Sequence, residues 1–264
     1  MKQGAGLRPP TAEVLRAHQL VKRYKRTLAV DHVDLALRKG ERVALLGPNG
    51  AGKTTTLLML LGVISPDSGW VRIAGHVMPR NRSEAMTHVG FSAGYMPLAE
   101  RLKVSEFLRM YGQLQGLRDP SERIETGLGR FHIGDLADAM STELSSGQRT
   151  LVGIVKATLH RPALLVLDEP TASLDPDMAL RVRTGLLDLC RDEGMTLLVT
   201  SHNMVEIERL CDRVIFLSQG RVVADDTPEA VADRFGRGDL EGVFLHLAGD
   251  GEAVANAPRG VDRA

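Results

Sequence analysis

No apolar run in this sequence comes near the ~20 residues needed to cross a bilayer; Leu57–Leu61 is typical of what there is. The chain is therefore expected not to span a membrane by itself. Aromatic residues make up only 4% of it, with a single Trp, which disfavours a platform for stacking nucleobases. Neither sign of charge is in excess: 33 Lys and Arg balance 33 Asp and Glu. That argues against a partner held by bulk electrostatics, such as duplex nucleic acid or an anionic membrane surface. Cysteine is nearly absent. Cys190 and Cys211 have no paired spacing that suits zinc, so two reduced thiols and a cytoplasmic location are expected. Met1–Thr11 lacks the apolar stretch of a secretory signal, and residues 1–11 read as a flexible N-terminus. Gly249–Ala264 has no periodicity, so 248–264 read as a flexible tail. No internal repeat and no sustained heptad pattern is found.

With 264 residues, 43% of them hydrophobic, the chain can fill one large core or two small ones. Short runs rich in Val, Ile and Leu alternate with longer helical patterns, the mark of an α/β domain with a mainly parallel sheet. Arg42–Leu46, Leu164–Leu167 and Thr196–Thr200 read as strands buried on both faces. Each runs directly into polar or glycine residues and then a helical pattern, the position where open α/β sheets bind ligands. Val14–Tyr24 and Leu28–Leu37 read as extended. Ser65–Gly69 is a turn signal before a strand at Trp70–Ala74, so a small antiparallel sheet is expected beside the parallel one. Between Pro97 and Met140 the periodicity is helical, with Val104, Phe107, Leu108, Tyr111 and Leu114 on one packed face.

The segment Gly47-Pro48-Asn49-Gly50-Ala51-Gly52-Lys53-Thr54 fits GxxxxGK[ST] between a strand and a helical pattern at Thr54–Leu61. Glycines let the backbone wrap phosphate oxygens with its N–H groups pointing inward, and the helix start adds partial positive charge. Lys53 is placed to reach the β- and γ-phosphates, and the Thr54 hydroxyl to ligate Mg²⁺. The plain alternative, a glycine-rich turn without a ligand, does not account for the strand-before, helix-after context. The strand Leu164–Leu167 ends in Asp168-Glu169, and two carboxylates at a core edge need a partner. Beside a phosphate loop, Asp168 would hold Mg²⁺ and Glu169 would face the attacking water. His202 follows a third strand end, where a γ-phosphate contact is expected, and Asn203 with Glu206 has capping-box-like spacing. Leu144-Ser145-Ser146-Gly147-Gln148-Arg149 precedes a helical run at Thr150–His160, and by itself a serine there is an ordinary N-cap.

In order, the motifs are a phosphate loop, a Ser-Ser-Gly-Gln helix start, a carboxylate strand end, Ser173-Leu174-Asp175-Pro176, then His202. That series resembles the nucleotide-binding subunit of ABC transporters over residues 12–247. The resemblance implies a P-loop NTPase core, an α/β fold with a mainly parallel sheet, an antiparallel β subdomain and a helical subdomain at about 97–160. It implies that Gly47, Pro48, Asn49, Gly50, Ala51, Gly52, Lys53, Thr54 and Thr55 bind ATP. Tyr24 would stack on adenine, Thr54 and Asp168 would hold Mg²⁺, and Glu169 and His202 would be catalytic. Ser145, Ser146, Gly147, Gln148 and Asp175 would contact ATP bound to a partner subunit, with Ser146 standing where the family more often has Gly.

The family's usual Gln between core and helical subdomain is missing: 89–97 contains none, and Gly94 falls near its place. Leu102–Glu106 and Leu210–Val214 resemble a bacterial exporter branch. The resemblance further implies an ATP-dependent head-to-tail dimer with a second copy or a paralogous ATPase. It also implies a separate transmembrane permease docked near Ala93–Leu117, and a peripheral place on the inner face of the cell membrane. Two rivals fit less well. A nucleic-acid or ribosome-associated ATPase would carry a coiled coil, zinc modules or a basic footprint. A small-molecule kinase leaves Leu144–Arg149 and Ser173–Pro176 without a purpose.

Overall fold

The computed structural model describes residues 13–94, 98–99, 101–172 and 174–255, with 250–255 by backbone alone. Two long strands, β1 (Glu13–Tyr24) and β2 (Thr27–Arg38), form an antiparallel hairpin and lead into β3 (Arg42–Leu46) and α1 (Lys53–Leu60). Next come β4 (Ser68–Ile73), β5 (His76–Met78), α2 (Arg82–Met86) and β6 (Val89–Ala93). Helices α3 (Val104–Leu114), α4 (Ser121–Arg130) and α5 (Ser146–Thr158) follow. Strands and helices then alternate through β7 (Leu164–Asp168), α6 (Pro176–Glu193), β8 (Thr196–Thr200) and α7 (Met204–Leu210). The hairpin β9 (Arg213–Ser218) and β10 (Arg221–Asp226), then α8 (Pro228–Arg234) and α9 (Leu240–Ala255), end the described chain.

Two sheets result. The antiparallel one has the order β2-β1-β4-β5; the larger has the order β10-β9-β3-β8-β7-β6, parallel except for β10. Side chains alternate across a strand, and here the alternation separates two cores. Val43 and Leu45 of β3, with Leu164 and Val166 of β7, join α1 and the antiparallel sheet. Ala44 and Leu46, with Leu165 and Leu167, join helices α3 to α9. Burial on both faces explains why these strands are unbroken apolar runs. At ~1.5–3 kcal/mol per buried aliphatic side chain, they fix the register of the sheet's carboxyl edge. Because β8 lies between β3 and β7, the three strand ends that lead into the motifs are neighbours.

Several elements differ from the sequence expectation. Helix α5 begins at Ser146, not Thr150, because Ser145 caps it: Gln148 N–H donates to Ser145 Oγ at 3.2 Å, and Ser145 N–H donates to Gln148 Oε1 at 2.8 Å. Strand β4 begins at Ser68, which pairs with Val21, and stops before Ala74, which turns with φ 46°. Leu114 is 75% exposed instead of packed; the chain reverses at Gly116 and Leu117 packs on the core in its place. The expected tail at 248–264 is helical through Ala255, because Leu240, Val243 and Leu247 bury a stripe of α9 in the core. The expectations for 1–11 and for 256–264 lie outside the described residues, as do Ser173 and 95–97.

Candidate nucleotide site

The loop after β3 turns on two glycines. At Gly47 (φ 147°) an added Cβ would collide with the Leu217 carbonyl oxygen, and at Gly52 (φ 99°) with that of Ala29. Only glycine combines those dihedrals with that closeness of backbone. Ala51 N–H donates to Pro48 O at 3.1 Å, and Gly220 N–H donates to Ala51 O at 3.1 Å, tying the loop to the β9–β10 turn. Helix α1 has no side-chain cap and no acidic residue in its first turn, so its N–H groups and dipole remain available to an anion. Lys53 Nζ donates to the loop carbonyls of Gly47 (2.5 Å) and Pro48 (3.3 Å). Burial lowers its pKa, while Glu169 and Asp168 oppose that shift.

Asp168 ends β7 opposite Thr200 of β8. The Thr200 hydroxyl donates to Asp168 Oδ1 at 2.6 Å and accepts from Glu169 N–H at 3.1 Å, latching both acidic residues to one strand end. Glu169 holds φ 52°, a left-handed conformation that costs a non-glycine residue roughly 1–2 kcal/mol. The Thr200 bonds and the Ala172 N–H donated to its carbonyl (3.2 Å) hold it there. Its carboxylate accepts from His202 N–H at 3.2 Å and lies 3.3 Å from His202 Nε2. Burial pushes the Glu169 pKa up, with the nearby His202 acting against it. Gly94 N–H donates to Asp168 O at 3.2 Å, and a Cβ on Gly94 would stand 3.0 Å from the Glu169 carbonyl oxygen. The residue in the expected glutamine position therefore abuts the acidic pair and offers no side-chain ligand.

These groups surround an open cavity of about 440 Å³. Pro48 through Thr55 line it with Asp168, Glu169 and His202, while Gly47 is buried beneath. Other expected residues lie elsewhere. Tyr24, 46% exposed at the tip of the β1–β2 hairpin with Lys22 Nζ 5.8 Å from its ring centre, is not among the lining residues. Nor are Ser145, Ser146, Gly147, Gln148 or Asp175. Gly147 is buried against Leu174 and Met178, Ser145 and Ser146 are exposed, and Asp175 caps α6 by accepting from Met178 N–H at 2.9 Å. Two contributors were not anticipated. Thr200 could have been noticed as the hydroxyl ending an otherwise apolar strand; Ala29, which lines the cavity from β2, carries no such signal.

Among the described residues, no cluster of three His, Cys, Asp or Glu side chains could hold a metal by itself. The Asp168 carboxylate and the Thr54 hydroxyl do line the cavity. That oxygen-only pair fits Mg²⁺ shared with substrate phosphates, which keeps few protein ligands. A phosphate loop facing two strand-end carboxylates defines the class: a P-loop nucleoside-triphosphate hydrolase.

Comparison with known proteins narrows the class. Residues 30–172 match the family model described as ABC transporter. The Nod factor export ATP-binding protein I of Cupriavidus metallidurans is 36% identical over 222 residues, 83% of this chain and 73% of that protein. The linearmycin resistance ATP-binding protein LnrL of Bacillus subtilis is 32% identical over 248 residues, 93% and 79% of the two chains. A solved structure described as the ATP binding subunit of an ABC transporter superposes with a TM-score of 0.80 at 28% identity, covering 89% of this chain and 99% of that one. The chain belongs to the ABC transporter family, as an ATP-binding subunit. It binds ATP with Mg²⁺ and hydrolyses it to drive transport. No helix among the described residues is long and apolar enough to cross a membrane.

Proposed function

We propose that this subunit powers export across the cell membrane, bound to the inner face through a separate permease, as two chains closing head to tail over ATP. The observation carrying the reading is the cavity that brings Lys53, Thr54, Asp168, Glu169 and His202 together. Lys53 releases its loop carbonyls and turns to the β- and γ-phosphates. Thr54 and Asp168 would hold Mg²⁺, which when bound neutralises charge on the transferring phosphoryl group. Glu169 takes the proton of the attacking water, and His202 holds that carboxylate and faces the γ-phosphate.

Ser145 and Ser146 are exposed at the start of α5, which Gly147 and Gln148 continue, and Asp175 caps the start of α6. Such a start supplies donors and partial positive charge to ATP on a second copy or a paralogue. Tyr24 stacks on the adenine from the hairpin. Residues 12–247 form the ATPase domain, and the helical part at about 97–160 meets the permease near Ala93–Leu117. Export is supported by relatives named for Nod factor export and linearmycin resistance. A nucleic-acid role finds no support in the zero net charge.

Lys53→Ala tests the site directly. Calorimetry should show tight ATP binding lost while the fold persists; wild-type affinity would contradict the reading.

A further inference from the structure

Helix α9 reaches the hydrolytic end of the site. Its first N–H, that of Leu240, donates to Glu208 Oε1 of α7 at 3.0 Å, and Leu240, Val243 and Leu247 are buried in the core. This anchoring fixes the helix rotation and turns Phe244 and Leu245 toward a second cavity, about 620 Å³, that Glu169 and His202 also line. There the Phe244 ring stands 6.0 Å from the His202 ring at 86°, an edge-to-face pair. Among the described residues it is the one ring packed on His202. His202 also holds Glu169, through its main-chain N–H (3.2 Å) and its Nε2 (3.3 Å). Phe244, His202 and Glu169 thus form one continuous series of contacts from the C-terminal helix to the carboxylate.

We propose that Phe244 is a positioning residue for ATP hydrolysis: it holds the His202 imidazole in the orientation that keeps Nε2 on Glu169. The inference rests on the catalytic reading of Glu169 and His202 given above. His202 is half exposed, so without the aromatic edge its ring is free to turn away, and Glu169 loses its fixed direction. Phe244 does not line the nucleotide cavity; its role lies in kcat and not in ATP affinity. It also makes α9 part of the catalytic unit instead of an appendage.

The test is a double-mutant cycle on the full chain, reading steady-state ATP hydrolysis, ATP affinity by calorimetry and thermal stability. Phe244→Leu keeps an apolar anchor for α9 but removes the ring edge, and should lower kcat about three- to ten-fold, the scale of one aromatic pair, with ATP Kd unchanged. Phe244→Tyr restores the ring and should restore kcat. In a His202→Ala background, Phe244→Leu should add no further loss. Wild-type kcat in Phe244→Leu, or a loss that adds in full to that of His202→Ala, would overturn the positioning role. So would failure of Tyr to rescue. Wild-type kcat in His202→Ala alone would instead overturn the parent reading of His202, and this inference with it.

Discussion

Glu169 combines three features that a structural carboxylate has no need of: a left-handed backbone, burial that raises its pKa, and a histidine on its carboxylate. Backbone strain of this kind persists only where the surroundings hold it, and here Thr200 does the holding. If Glu169 is the base, Glu169→Gln should keep ATP binding and slow turnover roughly 10²–10⁴-fold; unchanged turnover would remove its role. The pKa direction adds a sharper expectation. A base works only ionised, so activity is lost as pH falls through its pKa, and the upward shift puts that acid limb above the ~4.3 of a free glutamate. A pH profile of kcat should show the limb there in the wild type and none in the Gln variant's residual rate. A midpoint at or below ~4.3 would contradict the burial argument. The two thiols show the same physics without the function: burial pushes Cys190 up to about 11 and Cys211 higher still, which keeps both as inert thiols at neutral pH.

Helix α5 shows how one element can carry both stability and the contact proposed with a partner. Ser145 is its cap, whereas the Ser146 hydroxyl takes no part in the cap and its residue is exposed. Ser145→Ala should therefore cost about 1 kcal/mol of stability, and Ser146→Ala should leave the melting temperature nearly unchanged. If the helix start faces ATP on a second chain, both variants lower turnover. A Ser146→Ala protein with wild-type kcat and Tm would separate the helix start from catalysis. At this scale the legibility of the sequence also has physical limits. Strands β3 and β8 coincide with the runs read at Arg42–Leu46 and Thr196–Thr200, and β7 starts with its run at Leu164. Burial on both faces leaves an unbroken apolar signature ended by a motif. The last turns of α9 were not legible, because Gly249 and Gly251 interrupt any periodicity while the anchoring residues lie upstream. Leu114 misled for the converse reason: its helical phase is right, but the chain turns at Gly116 and nothing among the described residues covers it. The phosphate loop and the Asp168–Glu169 pair were legible because their residue types serve chemistry; Thr200 and Phe244 act only through neighbours that folding brings to them.

At the scale of the whole molecule, the balance of 33 cationic and 33 anionic residues has a local consequence. A polyanionic nucleotide has no bulk field to draw it in, so its site depends on N–H groups, Lys53 and Mg²⁺ within one cavity. The cavity is open to solvent, and the Ser145–Gln148 helix start lines no part of it. On the proposed reading, one chain holds half of each composite site and ATP joins the halves. The most direct measurement is light scattering of the Glu169→Gln protein with and without MgATP. The account predicts a monomer that becomes a dimer when ATP is added and, because hydrolysis is blocked, stays one. A protein that binds ATP yet remains monomeric at every concentration would contradict it.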